Sequence, residues 1–490
     1  MSNSKSYFWL NLTTMEKMST SGTTYQSKPL PRLKLLTMFR LGLFQMGLGI
    51  MSLLTLGVLN RIMIDELKVL PFLAAAAIAM HQFVSPARVL FGQMSDAKPL
   101  LGYHRTGYVW LGAALFTTLS FIALQIVWQL GINLQGSGWS AITYTWVIIL
   151  GLAFALYGLA LSASSTPFAA LLVDISDEDN RPQLVGVVWS MLMVGIVVGA
   201  IISSKLLKGA DSQTLDIAQL QTIINPVFII MPVLVFGLCL IATSGVEKKY
   251  SRYSMRSTLV EREDQITLTR ALSVLTASRQ TGLFFSFLLV LTISLFMQDT
   301  VMEPYGGEVF GMTIAQTTQL NAFFGMGTLL GIASTGFLVL PRLGKPKTTK
   351  LGCILAAVCI ILIIGAGFPA STSLLKSGLL FFGLASGMIT AGATSLMLDL
   401  TIAETAGTFI GAWGLSQAMA RGLATLCGGL VLNLGKMIFE LPVMAYGTVF
   451  VVQAIGLIIA VGLLGRVDVK EFRENAQAAI SAVMQGDLDG

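Results

Sequence analysis

Gln298, Asp299 and Glu303 crowd the stretch SLFMQDTVMEPYGGEVFGM, Ser294 to Met312, where a strongly apolar run of the chain ends. An ordinary helix exit needs glycine or proline and no acids, so these groups are candidates for holding a ligand, taking up a proton or gating. A plainer reading sends both carboxylates to interfacial water. Glu303-Pro304 then ends the helix, because a residue before proline avoids α geometry, and Gly306-Gly307 supplies the turn. Three further ionisable groups lie inside apolar runs. His81, among Ala, Ile, Met and Phe, is either a ligand through its neutral imidazole or a packed polar residue bonded to a neighbouring helix. Arg421 is too deep to snorkel comfortably, so it faces a polar cavity, an anionic partner or a structural counter-charge. Arg40 lies close enough to an interface to snorkel.

Such residues need helices of membrane-spanning length to hold them. The chain has 490 residues, 54% hydrophobic and 11% charged, with a mean hydropathy of +0.77, whereas soluble proteins are about a quarter charged. Runs of about twenty apolar residues recur along it, enough to cross a hydrocarbon layer as helices, and the period-two alternation of a barrel is missing. The runs predict an all-α polytopic membrane protein with twelve spans, at 35–60, 70–93, 106–130, 141–165, 184–206, 225–243, 281–301, 318–340, 350–368, 376–398, 409–433 and 444–466. An even count puts both termini on one side. Lys and Arg gather in the N-terminal arm, the even-numbered loops and the tail, which makes that side cytoplasmic. The net charge of +6 reads as topology and contact with the lipid bilayer, with no nucleic-acid role. Cys239, Cys353, Cys359 and Cys427 fall in apolar runs without CxxC spacing, so neither a disulfide framework nor a metal site is expected. The expected organisation is a disordered arm at 1–34 without a signal peptide, helical bundles at 35–243 and 281–466, a basic linker at 244–280, and a cytoplasmic tail at 467–490.

An internal repeat supports the two halves. LLVDISDEDNRPQLVGVVW and LMLDLTIAETAGTFIGAW share Asp, Gly and Trp at a common offset, so Asp174 matches Asp399. Glu404 follows in the second copy, and the loop GQMSDAKPLLGYHR echoes GFLVLPRLGKPK, with Asp96 and Arg105 in the first and Arg342 in the second. This resembles the arrangement of the major facilitator superfamily, which implies two pseudo-symmetric six-helix bundles with a binding region between them. Arg105 can pair with Asp174 at the end of span four, either as a lock that breaks when the halves rock or as a static staple. Asp96, Arg342, Asp399 and Glu404 are further candidates for gating or locking. Glycine pairs Gly195/Gly199, Gly327/Gly331 and Gly407/Gly411 have small-xxx-small spacing, which suits close helix packing.

The stretch QDTVMEPYGGEVFGM resembles the PucC and LhaA family, the bacteriochlorophyll-delivery branch of that superfamily. LNRIMIDEL, SPARVLFGQMSD, GYHRTGYVWLG and SLMLDLTIAETAGTFIGAWGLSQAMARGLATLCGG agree with it, so the resemblance covers 35–466. It implies an assembly factor in a thylakoid, intracytoplasmic or plasma membrane that holds chlorophyll or bacteriochlorophyll transiently. The pigment would pass to light-harvesting or photosystem apoproteins, with a chlorophyll synthase as a further partner. Gln298, Asp299, Glu303, His81 and Arg421 become candidate pigment contacts, since imidazole and carboxylate both suit the magnesium of a chlorin. Two readings from other classes stand beside it: an ion-coupled transporter of a small solute, and a pigment-free scaffold for antenna assembly. No Walker loop, HExxH or GxSxG is present, and no enzyme activity is expected.

Overall fold

The computed structural model describes residues 33–176, 181–208, 216–251, 279–400 and 406–468, with side chains 89, 181–182, 281, 337 and 397–413 left out. The expected arm thus lies outside the described residues up to 32, the linker over 252–278, and the tail from 469.

Helices account for nearly all of it. The first half comprises α1 (Leu35–Glu66), α2 (Pro71–Phe83), α3 (Ala87–Ala97), α4 (Thr106–Ser137), α5 (Ala141–Ile175), α6 (Arg181–Leu206) and α7 (Ile217–Thr243), followed by the short α8 (Val246–Tyr250). The second half comprises α9 (Arg279–Phe296), α10 (Met302–Phe310), α11 (Ile314–Ser334), α12 (Lys345–Gly367), α13 (Thr372–Leu400), α14 (Ala406–Ile438) and α15 (Pro442–Gly465). Among the described residues ten helices are long and apolar enough to cross a membrane, not twelve. The difference lies in the runs expected at 70–93 and 318–340. The first is broken between α2 and α3 by the turn at Ser85-Pro86. The second is α11 with the π segment Thr335–Val339 that continues it; its N-terminal turns, with Gln316, Gln319 and Asn321, are polar.

Local chemistry sets the ends. Pro71 and Pro442 begin helices at positions where the missing N–H is no loss. Asp216 with Gln219, and Thr313 with Gln316, form reciprocal capping boxes for α7 and α11.

Within the first half α4 packs on α5 and α7, and α1 on α6 and α7; in the second, α13 packs on α11 and α12, and α15 on α9 and α12. Two seams join the halves, α2 with α14 and α6 with α11. Small residues make these approaches possible where lipid offers no hydrophobic drive. A Cβ on Gly195 would overlap the Met46 carbonyl of α1, and one on Gly331 the Leu384 carbonyl of α13. Side chains at 407 and 411 lie outside the described residues. The start of α1 and the end of α7 meet where Arg40 donates to the carbonyls of Ile241 and Ser244. After α15, the Asp468 N–H reaches Gln280 at the start of α9. We call this end of the bundle the terminal face and the other the distal face.

Candidate functional site

The distal half of α1 is not a regular helix: Leu53–Val58 and Ile62–Glu66 are π segments flanking one α turn, Leu59–Arg61. Widened turns of this kind recur at functional sites because they re-aim side chains. Here they direct Asn60 and Arg61 across the gap to the second half. Asn60 Nδ2 donates to the Thr300 carbonyl at 2.5 Å. Arg61 is buried and donates to the Met312 carbonyl at 2.8 Å, the Thr313 carbonyl at 3.0 Å and the Thr317 hydroxyl at 2.5 Å. Its Nε also lies 3.4 Å from Asp65, and Nη2 3.6 Å from Glu66. One guanidinium therefore bolts the first half to the turn that opens α11.

Glu303 belongs to this bolt. It is buried, accepts from Asn321 Nδ2 at 2.5 Å, and rests against Gly57, where any Cβ would overlap its Oε1. Gly307 makes room in the same way for Asp65, and Glu308 beside it pairs with Lys436 of α14 at 2.6 Å. The expectation that Glu303-Pro304 ends the helix and Gly306-Gly307 turns the chain is corrected. All four lie within α10, and the turn is made at Gly311, whose φ of 63° suits glycine. Pro304 is tolerated because it falls in the first turn of α10, where its absent N–H has no intrahelical partner to lose. The two glycines serve the approach of α1 instead.

Deeper between the halves, His81, Gln82, Asn60, Asp299, Arg421 and Thr425 line a cavity of about 40 Å³ together with Leu56, Ile78, Phe296 and Thr300. His81 Nδ1 stands 2.5 Å from the Ile78 carbonyl, so Nδ1 carries the proton, and Nε2 accepts from Gln82 Nε2 at 2.9 Å. Nε2 is thus the lone pair available to a magnesium once Gln82 turns aside. Arg421 stacks over the Phe296 ring at 4.2 Å and attracts Asp299 across the cavity. Gln298 points elsewhere, accepting from Gln453 of α15 at 2.9 Å inside the second half. Of the five residues singled out from sequence, His81, Asp299 and Arg421 share one cavity, Glu303 joins the distal bolt, and Gln298 is a packing contact.

At the terminal face Arg105 is buried and binds Asp174 at 2.8 Å, Asp96 at 2.5 Å and the Ser95 hydroxyl at 2.6 Å. Burial works against its charge, but the carboxylates of Asp174 and Asp96 outweigh it and raise the pKa of Arg105. Ser95, Asp96 and Asp174 all belong to the first half. Glu247 of α8 completes the knot: its carboxylate accepts the backbone N–H groups of His104, Arg105 and Thr106, capping α4. Arg342 is exposed beyond the π segment of α11; the Asp399 side chain and all of Glu404 lie outside the described residues.

Sequence reading passed over Asn60, Arg61, Gln82, Glu247 and Asn321. The i,i+4 pair Arg61/Asp65 was a usable signal, obscured by ending the first span at 60. Glu247 carried none, since its partners are backbone groups more than a hundred residues away.

The family profile described as PUCC protein matches residues 58–472. Protein PucC of Rhodobacter capsulatus is 29% identical over 445 residues, 88% of this chain and 91% of its own length. An uncharacterized protein of the puhA-bchM intergenic region of the same species is 28% identical over 452 residues, 90% of each chain. A third relative there, bacteriochlorophyll synthase 44.5 kDa chain, is 29% identical over 433 residues, 87% of this chain and 94% of its own. Among solved structures, the nucleoside transporter NupG superposes with a TM-score of 0.61 at 14% identity, covering 88% of this chain and 98% of that one. A bacterial homologue of the iron transporter ferroportin, in an inward-facing state, gives 0.60 at 14%, covering 89% and 99%. These likenesses establish a major facilitator fold.

Proposed function

The chain belongs to the PUCC protein family, and from that premise we propose that it is an integral membrane factor holding (bacterio)chlorophyll for the assembly of light-harvesting complexes. The family match over 58–472 carries the assembly role. The polar cavity between the halves supports the pigment as its cargo. At about 40 Å³ the cavity admits a polar group or a few waters, well below the ~300–1,000 Å³ that encloses a drug-sized ligand. A chlorin would therefore rest against the cavity mouth with one polar edge inside. His81 Nε2 and Asp299 are the groups that could meet its magnesium or its ring substituents. The protein forms and breaks no covalent bond in this role. Its clients are antenna or photosystem apoproteins, with a chlorophyll synthase as a further partner. It sits in a photosynthetic membrane, with the terminal face toward the cytoplasm as the distribution of Lys and Arg directs.

The small cavity favours a second reading, a scaffold that gathers antenna subunits without pigment. Purification of the tagged chain from its phototrophic host, followed by pigment extraction, separates the two. Chlorophyll at a fixed ratio, lost in His81→Leu and Asp299→Asn, supports the carrier; pigment-free protein accompanied by antenna subunits supports the scaffold and refutes the carrier.

A further inference from the structure

His81 and Gln82 are neighbours on α2, yet different halves of the molecule hold their side chains. The His81 ring packs on Phe154 and Tyr157 of α5, with ring centroids 6.4 and 6.2 Å away. Its backbone meets the same helix, since a Cβ on Gly158 would overlap the His81 carbonyl. With Nδ1 bound to the Ile78 carbonyl, the imidazole is fixed in place and in tautomer by the first half alone.

Gln82 is held from the other side. A Cβ on Gly422 of α14 would lie 3.2 Å from Gln82 Cβ and 3.1 Å from the Phe83 ring, so the missing side chain is what lets the second half come this near. Side chains of adjacent helical residues do not ordinarily face one another, but here Gln82 turns back and its Nε2 donates to His81 Nε2 at 2.9 Å. That one bond occupies the lone pair a magnesium needs. The cavity that both residues line is too small for a ring system. A chlorin therefore reaches the imidazole only where α2 and α14 part, and parting them removes the wall against which Gln82 rests.

We propose that Gln82 is a cap on the magnesium ligand, kept closed by α14: the imidazole is withheld while the halves touch at this seam and offered when they separate. This rests on the chlorophyll cargo proposed above. The cargo is then a magnesium chlorin with an open axial position, and the cap ties its capture and release to the separation of the halves. When the seam closes again, Gln82 competes with the metal for the same lone pair, which helps the pigment leave. A glutamine suits this role because its amide donates to a neutral imidazole without bringing a charge, so the bond is weak enough to exchange.

The test uses the full-length chain in detergent. His81 and His104 are its two histidines, so acylation by diethyl pyrocarbonate, which needs a free imidazole lone pair, is followed at His81 by peptide mass spectrometry with His104 as the internal reference. Chlorophyll a binding is read by quenching of tryptophan fluorescence. Gln82→Ala should speed acylation of His81 and tighten chlorophyll a about 2- to 10-fold, the contribution of one neutral hydrogen bond, and adding His81→Leu should abolish the gain. A cross-link at the other seam checks the link to the halves. A Cβ on Gly325 of α11 would lie 3.1 Å from Val197 Cγ2 of α6, close enough for Gly325→Cys and Val197→Cys to form a disulfide in a background lacking the four native cysteines. Oxidation should slow His81 acylation and weaken chlorophyll binding, and reduction should restore both. Gln82→Ala that changes neither readout overturns the cap. A cross-link that leaves His81 acylation unchanged overturns its control by the seam. Faster acylation in Gln82→Ala, with no chlorophyll bound by any variant, upholds the cap and refutes the pigment cargo instead. Should Gln82→Ala fail to give monodisperse protein, Gln82→Met, of similar length and without a donor, takes its place.

Discussion

Replacing Arg61 with alanine should release the distal face. The side chain makes three hydrogen bonds to the α10–α11 turn and the first turns of α11, and two ionic contacts within α1. Its loss strands the Met312 and Thr313 carbonyls and leaves Asp65, whose carboxylate oxygens have no hydrogen-bond partner, buried without its counter-charge. Breaking a buried pair from one side costs about 3–5 kcal/mol. Because the bonds from Arg61 to the second half exist only while the halves touch at this face, a large share of that cost falls on the closed arrangement. At ~1.4 kcal/mol per tenfold, even half of it moves the closure equilibrium by about one to two orders of magnitude. Spin labels at Gln135→Cys and Glu440→Cys, exposed near the distal ends of the two halves, would report the change by pulsed electron resonance in a background lacking the four native cysteines. Arg61→Lys should fall between Arg61→Ala, which should lengthen and broaden the distance distribution, and the parent, because an ammonium keeps the charge but its donors sit on one nitrogen and cannot span acceptors now reached from Nη1 and Nη2. An unchanged distribution in Arg61→Ala would refute the bolt.

Gly195→Ala should destabilise the chain more than Gly57→Ala. The obstacle at Gly195 is the Met46 backbone, whereas at Gly57 it is the movable end of Glu303; overpacking of this kind costs about 1–3 kcal/mol, and thermal unfolding by scanning fluorimetry reads the difference. Glu247→Ala should remove the cap of α4 at a cost of about 1 kcal/mol, and limited proteolysis should then cut sooner between α7 and α9 if α8 is held by that cap. Arg105→Ala should cost about 3–5 kcal/mol by removing the guanidinium that Asp174 and Asp96 share, read as a fall in the thermal unfolding midpoint. Glu303→Gln should spare pigment binding, unlike Asp299→Asn, since Glu303 lies in the bolt and only Asp299 lines the cavity; equal pigment loss in both would refute that division.

Composition and run length determined that this chain is a bundle of membrane-crossing helices, because a bilayer leaves a chain this apolar little other choice. The repeat around Asp174 and Asp399 and the family stretches gave the two-half plan and the family. The pairing of Arg105 with Asp174 was legible too, since opposite charges at the ends of adjacent apolar runs have few other partners. What only the tertiary structure decided was the division of labour among residues that looked alike. Asp299 and Glu303 are four residues apart in one stretch, yet a change from helix to 3-10 turn to new helix over Phe296–Met302 sends one to the cavity and the other to the bolt. Arg61 and Asp65 read as a loop because hydropathy ends a span where charge begins. In the folded chain the π turns of α1 carry that charge inward, to carbonyls that become acceptors only when the second half closes on them. Gln82 and Arg421 are more than three hundred residues apart, and both reach one cavity across a seam where Gly422 lies against Gln82 and Phe83. Hydropathy reports each run's relation to lipid; which polar group faces which depends on the phase of every helix against its neighbours, and that is set by packing.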